Sequence, residues 1–419
     1  MKKSVSVLSV ILILLISVIP TVSAEVKLNA KSAILVDMSN SMILFEKDSA
    51  QKIQPAGFAK IVTAMVVLEN CSDLSQVITA PVQTIADCDF SFGNMGVLAE
   101  ENLSVQALLE GMLLYDAAEA AEVLAGFTFG NYGKFIAAMN TLAKDAGAEN
   151  TNFVNAGGYY NDKQHTTVSD ISKIALYAMK NEAFAQIVKK DMVEIPPTNK
   201  YRDTRYLTNT NMFMGRNRSQ DFYSPKVFGV KTSYMKDHGY GLCIAFENSR
   251  GKFLSVTSGG ENATAAHNDA QTLRNYVVEG FTNVKLADKG DIIEEVEVPN
   301  GKTSHVLLKT ADELSVRLPV DYDETKIFKW TSKNGDLKAP IEKDEVLGSL
   351  NISYDGKNVG SVDLIAYDGV KKSAGRSISL FFTNIFTSPF FYVPVLIFMI
   401  TFAIMVYKAN KVKARKRKR

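Results

Sequence analysis

Between Pro55 and Leu68 the chain is almost wholly apolar, and one lysine, Lys60, interrupts it. Ile61, Met65 and Leu68 recur at helical spacing, and Val62 and Val66 cover a neighbouring face. The pattern predicts a central, buried helix. Pro55 marks its start, because proline fits a first helical turn and not the interior. Lys60 is thereby carried toward a core, where an unpaired charge is costly. It is either a lysine snorkelling from a core helix or one with a partner or a task.

Before this helix, Ala33–Asp37 and Met42–Glu46 read as two short strands, with Ser39-Asn40-Ser41 as the turn of a hairpin. After it, Leu103–Leu114 predicts a helix with Ser104 as N-cap, followed by the small-residue stretch Tyr115–Ala125. Thr167-Val168-Ser169-Asp170 opens another helix as a capping box, with Ile171, Ile174, Ala175 and Ala178 on its buried face. From about Asp288 the texture changes to short alternating strands: Ile292–Val298, Ser304–Leu308 and Leu347–Ile352. Asn300-Gly301, Asn334-Gly335, Asp355-Gly356 and Asp368-Gly369 supply turns.

The two ends carry targeting signals. Residues 1–24 read as a secretory signal: Lys2 and Lys3, an apolar stretch, then Val22-Ser23-Ala24 as a cleavage site. Phe390–Tyr407 is an uncharged apolar run of 18 residues, long enough to cross a hydrocarbon core of about 30 Å. Residues 408–419 follow with eight cations, which mark the cytoplasmic side. The reading is a single-pass membrane protein with its bulk outside the cytoplasm. Residues 373–389 form a juxtamembrane segment; Ile378, Phe381, Phe382, Ile385 and Phe386 suit it to the membrane interface. The formal charge of +2, less the eight tail cations and two leader lysines, leaves −8 for the exported part. That argues against nucleic acid as a partner. Cys71, Cys88 and Cys243 leave an odd thiol; Cys71 and Cys88 are a candidate disulfide that spacing alone does not establish. His165, His238, His267 and His305 show no metal spacing, so no metal and no cofactor is expected.

The run Pro55-Ala56-Gly57-Phe58-Ala59-Lys60-Ile61-Val62-Thr63-Ala64 resembles the active-site helix of the serine D-alanyl-D-alanine carboxypeptidases, the low-molecular-mass penicillin-binding proteins. Their pattern is Pro-Ala-Ser-x-x-Lys, in which the serine is the acylated nucleophile and the lysine accepts its proton. Here the lysine is Lys60 and the serine position is Gly57. Thr63 lies about half a turn from Gly57 and is no substitute. The resemblance continues through Leu113-Leu114-Tyr115-Asp116-Ala117-Ala118, where Asp116 and Ala118 occupy the positions of the family's second-motif serine and asparagine. It runs on through Phe135–Asp170 and Asn209-Thr210-Asn211 to the third motif, Lys231-Thr232-Ser233-Tyr234, where Ser233 stands for the family's glycine. In the family, the lysine and threonine of this motif engage the terminal carboxylate of the peptide. The oxyanion hole would use the backbone N–H groups of Gly57 and Tyr234. Ser233 adds bulk where substrate lies along the strand.

The resemblance covers roughly residues 30–368 and implies an α/β (α+β) fold. It consists of a penicillin-recognising, β-lactamase/transpeptidase-like domain (25–287), a small β-rich domain (288–372) and a C-terminal transmembrane helix (390–407). The function it implies is that of a cell-envelope protein of peptidoglycan metabolism, inactive for want of the serine, that binds a peptidoglycan stem peptide or an envelope protein. Two alternatives stand beside it: an active carboxypeptidase with a rearranged site, and a purely structural scaffold. If the family scaffold is kept, Asp116 projects toward Lys60 and Lys231.

Overall fold

The computed structural model describes residues 26–216, 218–379 and 389–416. The expected signal segment and residues 380–388 of the expected juxtamembrane segment lie outside them. The chain divides into two units, the first reaching Phe281 and the second starting at Thr282. This division comes one strand earlier than the change in texture at Asp288.

In the first unit, strands β1 (Ser32–Asp37) and β2 (Ile43–Lys47) pair as an antiparallel hairpin. A 3₁₀ turn, Ala56–Phe58, then leads into helix α1 (Ala59–Asn70). Two small antiparallel strand pairs frame the helical part, β3 (Val77–Thr79) with β4 (Asn102–Ser104) and β5 (Met192–Ile195) with β6 (Arg205–Thr208). Strands β7 (Val227–Met235), β8 (Gly239–Asn248) and β9 (Gly251–Gly260) complete a five-stranded antiparallel sheet of order β2-β1-β9-β8-β7. Side chains alternate across it. Ile34, Val36, Cys243, Ala245, Leu254 and Val256 enter one core. Leu35, Leu242, Ile244, Phe246 and Phe253 enter the other. Cover on both faces of the sheet explains the unbroken apolar run Ala33–Val36 of the fully buried β1.

The larger core is helical. Besides α1 it holds α2 (Val82–Ala86), α3 (Val105–Leu114), α4 (Ala118–Thr128), α5 (Tyr132–Asp145), α6 (Val168–Ala178) and α7 (Glu182–Val188). α1 is buried from Ala59 to Val67, as an all-round apolar pattern requires. Ser104 caps α3 by accepting from the Ala107 N–H at 3.1 Å. The capping box at α6 is half formed. Thr167 accepts from the Asp170 N–H at 3.0 Å, but the Asp170 carboxylate turns to the Asn150 N–H and the Thr151 hydroxyl. It ties α6 to the preceding loop instead of closing its own helix.

The opposite face carries α8 (Ala263–Gly280). His267 is buried there; its Nε2 accepts from the Met212 N–H at 3.0 Å and its Nδ1 faces Ala263 O at 2.7 Å. Burial pushes this imidazole down to about 4, against about 6.5 in an unfolded chain. Because the folded value is the lower one, the unfolded chain takes up the proton first, and stability is lost as the pH falls from about 6.5 toward 4. This group alone should remove about 2–3 kcal/mol between pH 7 and pH 4.5. Urea titrations of the protein and of His267→Gln check it; an equal pH slope in the two would refute it.

All three cysteines are free. Cys71 Sγ faces Asp73 O and Cys88 Sγ faces Thr84 O, so the candidate pair is not bonded. Among the described residues no group of His, Cys, Asp and Glu could hold a metal.

The second unit is β-rich. β11 (Ile292–Glu297), β12 (His305–Thr310), β14 (Ile327–Lys333), β15 (Val346–Tyr354) and β16 (Lys357–Ala366) form a sheet of order β11-β12-β16-β15-β14, and β10 (Phe281–Ala287) pairs with β13 (Leu314–Pro319). The Asp355-Gly356 turn joins β15 to β16 with both residues at positive φ, the twist a two-residue hairpin needs. The run 390–407 lies within α9 (Pro389–Lys416). Among the described residues no helix is long and apolar enough to cross a membrane.

Candidate active site

Three separate segments meet beneath the 3₁₀ turn. Lys60 sits in the first turn of α1, Lys231 on β7, and Asp116 in the link between α3 and α4. Lys60 Nζ and Lys231 Nζ lie 2.9 Å and 2.7 Å from the same oxygen, Asp116 Oδ1. Both lysines are about 1% exposed. Asp116 adopts φ +67°, a conformation that aspartate tolerates better than most residues. Burial pushes its carboxyl up, but Lys231 and Lys60 outweigh burial and hold it below the usual carboxylate range. Burial brings the Lys231 ammonium down to about 8, with Asp116 opposing and Lys60 reinforcing the shift. The carboxylate, itself partly open to solvent, thus neutralises part of the charge of two buried cations.

Gly57 lies at the head of this cluster, pressed against β7. A Cβ at Gly57 would stand 2.5 Å from Thr232 O, 2.9 Å from Ser233 Cα and 3.1 Å from Asp116 Oδ1. The first two are backbone atoms, so a side chain here requires the strand to move. From the other side, a Cβ at Gly158 would run into Ala56 O. The turn is therefore held between two close backbone approaches that only glycine permits. Ser233 is buried, and its hydroxyl donates to Pro55 O at 3.3 Å. It ties β7 to the residue that starts the turn.

The remaining expected positions are spread around this centre. The Thr232 hydroxyl pairs with that of Thr210, which also bonds Leu114 O. Tyr234 is 47% exposed at the mouth of the site. Ala118 presents only a buried methyl, and its N–H donates to Gly93 O at 2.8 Å. The Thr63 hydroxyl is committed to Ala156 O at 2.8 Å. Sequence reading passed over Glu119 and Glu122. Glu119 Oε1 accepts the N–H groups of Met95 and Gly96, and Glu122 Oε1 that of Gly157. Burial pushes both carboxyls up, against these hydrogen bonds and, at Glu122, against Tyr132. Two glutamates three residues apart in the alanine-rich run 117–125 were the available signal.

The family model described as D-alanyl-D-alanine carboxypeptidase matches residues 19–262. The chain belongs to this family. A second model, the C-terminal domain of penicillin-binding protein 5, matches residues 281–372 of this carboxypeptidase-family chain. D-alanyl-D-alanine carboxypeptidase DacF of Bacillus subtilis (strain 168) is 24% identical over 84% of this chain and 88% of its own. DacC of Escherichia coli (strain K12) is 23% identical over 82% and 85%. Among solved structures, penicillin-binding protein 5 from Haemophilus influenzae superposes with a TM-score of 0.66 at 21% identity, over 83% of this chain and 98% of that one. A peptidoglycan synthesis regulatory factor, PBP3 of Streptococcus pneumoniae, gives 0.66 at 21%, over 82% and 100%. These likenesses establish the fold: a mixed α/β penicillin-binding, transpeptidase-type domain with a β-rich C-terminal domain.

Proposed function

We propose that this family member is a non-catalytic protein of the cell envelope that holds peptidoglycan without cleaving it. The observation that carries the reading is Gly57. It offers no nucleophile, and the Thr232 carbonyl occupies the space where a side chain would begin. The ion pairs of Asp116 with both lysines point the same way, because the lysines that would serve a serine in the family are held by this carboxylate instead. The membership of the chain among D-alanyl-D-alanine carboxypeptidases makes peptidoglycan the ligand to expect. A stem-peptide hydrolase with a rearranged site finds no replacement nucleophile here, since Thr63 is turned to Ala156 O. The run 390–407 and the cations after it would tether the protein in the membrane with its tail inside.

The test is labelling with a penicillin. Opening the β-lactam ring needs a side-chain nucleophile, so intact-mass analysis should find the protein unmodified. A stoichiometric penicilloyl adduct would overturn the reading.

A further inference from the structure

An open cleft of about 570 Å³ leads down to the ion cluster: Asp116 stands at its inner end, and Phe92, Tyr160, Tyr234, Lys236 and His238 line the rest. That volume lies within the roughly 300–1,000 Å³ of small-molecule sites. Four of these side chains are aromatic rings, and both tyrosines are exposed: Tyr160 is 56% and Tyr234 47% exposed. Neither ring is loose. Tyr160 stacks on His238 with centroids 5.7 Å apart, and its hydroxyl donates to Asp162 at 2.6 Å. Tyr234 lies against Tyr240 at 4.3 Å, and Phe92 stands edge-on to Tyr159 at 5.0 Å. Rings fixed in advance lose little freedom when a ligand covers them.

The charges decide what that ligand is. The buried cations that would draw in a carboxylate already share Asp116. A peptide C-terminus entering the cleft would meet the Asp116 carboxylate, which lines it, whereas Lys60 and Lys231 lie behind that carboxylate and do not line the cleft. Lys236 and Asp237 add opposite charges at the rim. What fits is an uncharged ligand with an apolar face for the rings and a polar edge for hydrogen bonds. A pyranose has that form. Building on the peptidoglycan-holding reading above, we infer that this outer cleft binds the N-acetylated amino-sugar strand of peptidoglycan, with Tyr160 and Tyr234 as its platforms.

Calorimetric titration of the full-length chain in detergent tests this, with the N-acetylglucosamine tetrasaccharide and a stem pentapeptide ending in D-alanyl-D-alanine as separate probes. The tetrasaccharide should bind and the pentapeptide should not. Tyr160→Ala and Tyr234→Ala should each weaken the tetrasaccharide by about tenfold, with Tyr206→Ala, another exposed tyrosine, unchanged and Tyr234→Phe close to the parent. Co-sedimentation with purified sacculi separates the two levels of the argument. Retention on sacculi with no tetrasaccharide binding, with pentapeptide binding instead, or with tetrasaccharide binding indifferent to both alanine variants overturns the sugar site alone. Failure to sediment with sacculi overturns the peptidoglycan-holding reading as well.

Discussion

Asp116→Ser should lower the unfolding free energy by about 3–5 kcal/mol at neutral pH, the usual cost of removing one partner from a buried ion cluster. Serine is the residue that active relatives would carry at this position, so a simple expectation from the family is that the change is harmless. The geometry says otherwise. Asp116 Oδ1 stands 2.9 Å from Lys60 Nζ and 2.7 Å from Lys231 Nζ, and neither lysine can reach water from its buried place. Without the carboxylate, two ammonium groups face each other in a poorly solvated pocket, and one of them must lose its proton. The effect has a pH signature. Because the Asp116 carboxyl is held below its unfolded value, its contribution is full above about pH 4 and fades as the pH falls through the lower folded value. The gap between the protein and its serine variant should therefore narrow in strong acid. Urea denaturation of both at pH 7 and at pH 3 provides the comparison; equal stability at pH 7 would contradict the account.

Restoring the nucleophile by Gly57→Ser should give neither carboxypeptidase activity nor a penicillin adduct, and should cost about 1–3 kcal/mol as overpacking. Removing the serine from a serine hydrolase lowers turnover by a factor on the order of 10⁶, and putting it back helps only if the site still has room. Here the new Cβ would sit 2.5 Å from Thr232 O, and the Ser233 hydroxyl holds β7 against Pro55. Even after the strand yields, the hydroxyl would find Asp116 nearest among side chains and a methyl, Ala118, at the second-motif amide position. Adding Ser233→Gly releases one of these restraints and should recover part of the lost stability. Intact-mass analysis after penicillin, together with release of D-alanine from a pentapeptide, reads the outcome. A near-normal rate in the single variant would show that the strand gives way easily and that the centre is only one residue from activity.

Much of this molecule is legible in its local patterns. The apolar run after Pro55 dictates a buried helix whatever surrounds it, because no face of it could be left in water. Ser104 and Thr167 mark helix starts through short-range hydrogen bonds that need nothing distant. Strands such as β14 were harder to read. Most of Ile327–Lys333 is exposed at the sheet edge, so it lacks the alternation that burial imposes. His267 gave no hint of its buried state, since its partners Met212 and Ala263 are set by the packing of α8 and the loop before β7.

The missing serine is a fact of sequence alone: Gly57 has no atom with which to attack a peptide, and no fold can supply one at that position. The retained Lys60 and Lys231, and the aspartate in the second motif, are likewise written in the chain. What only the tertiary structure decided is their meeting. Lys60 and Asp116 are 56 residues apart in sequence, and Lys231 arrives on a strand whose place is fixed by its pairing with β8. Local patterns constrain neighbours a few residues away; distances between elements follow from sheet register and core packing. The 2.5 Å between a would-be side chain at Gly57 and the Thr232 carbonyl is such a distance. It puts the Thr232 carbonyl where a side chain at position 57 would begin, which no reading of the chain by itself could show.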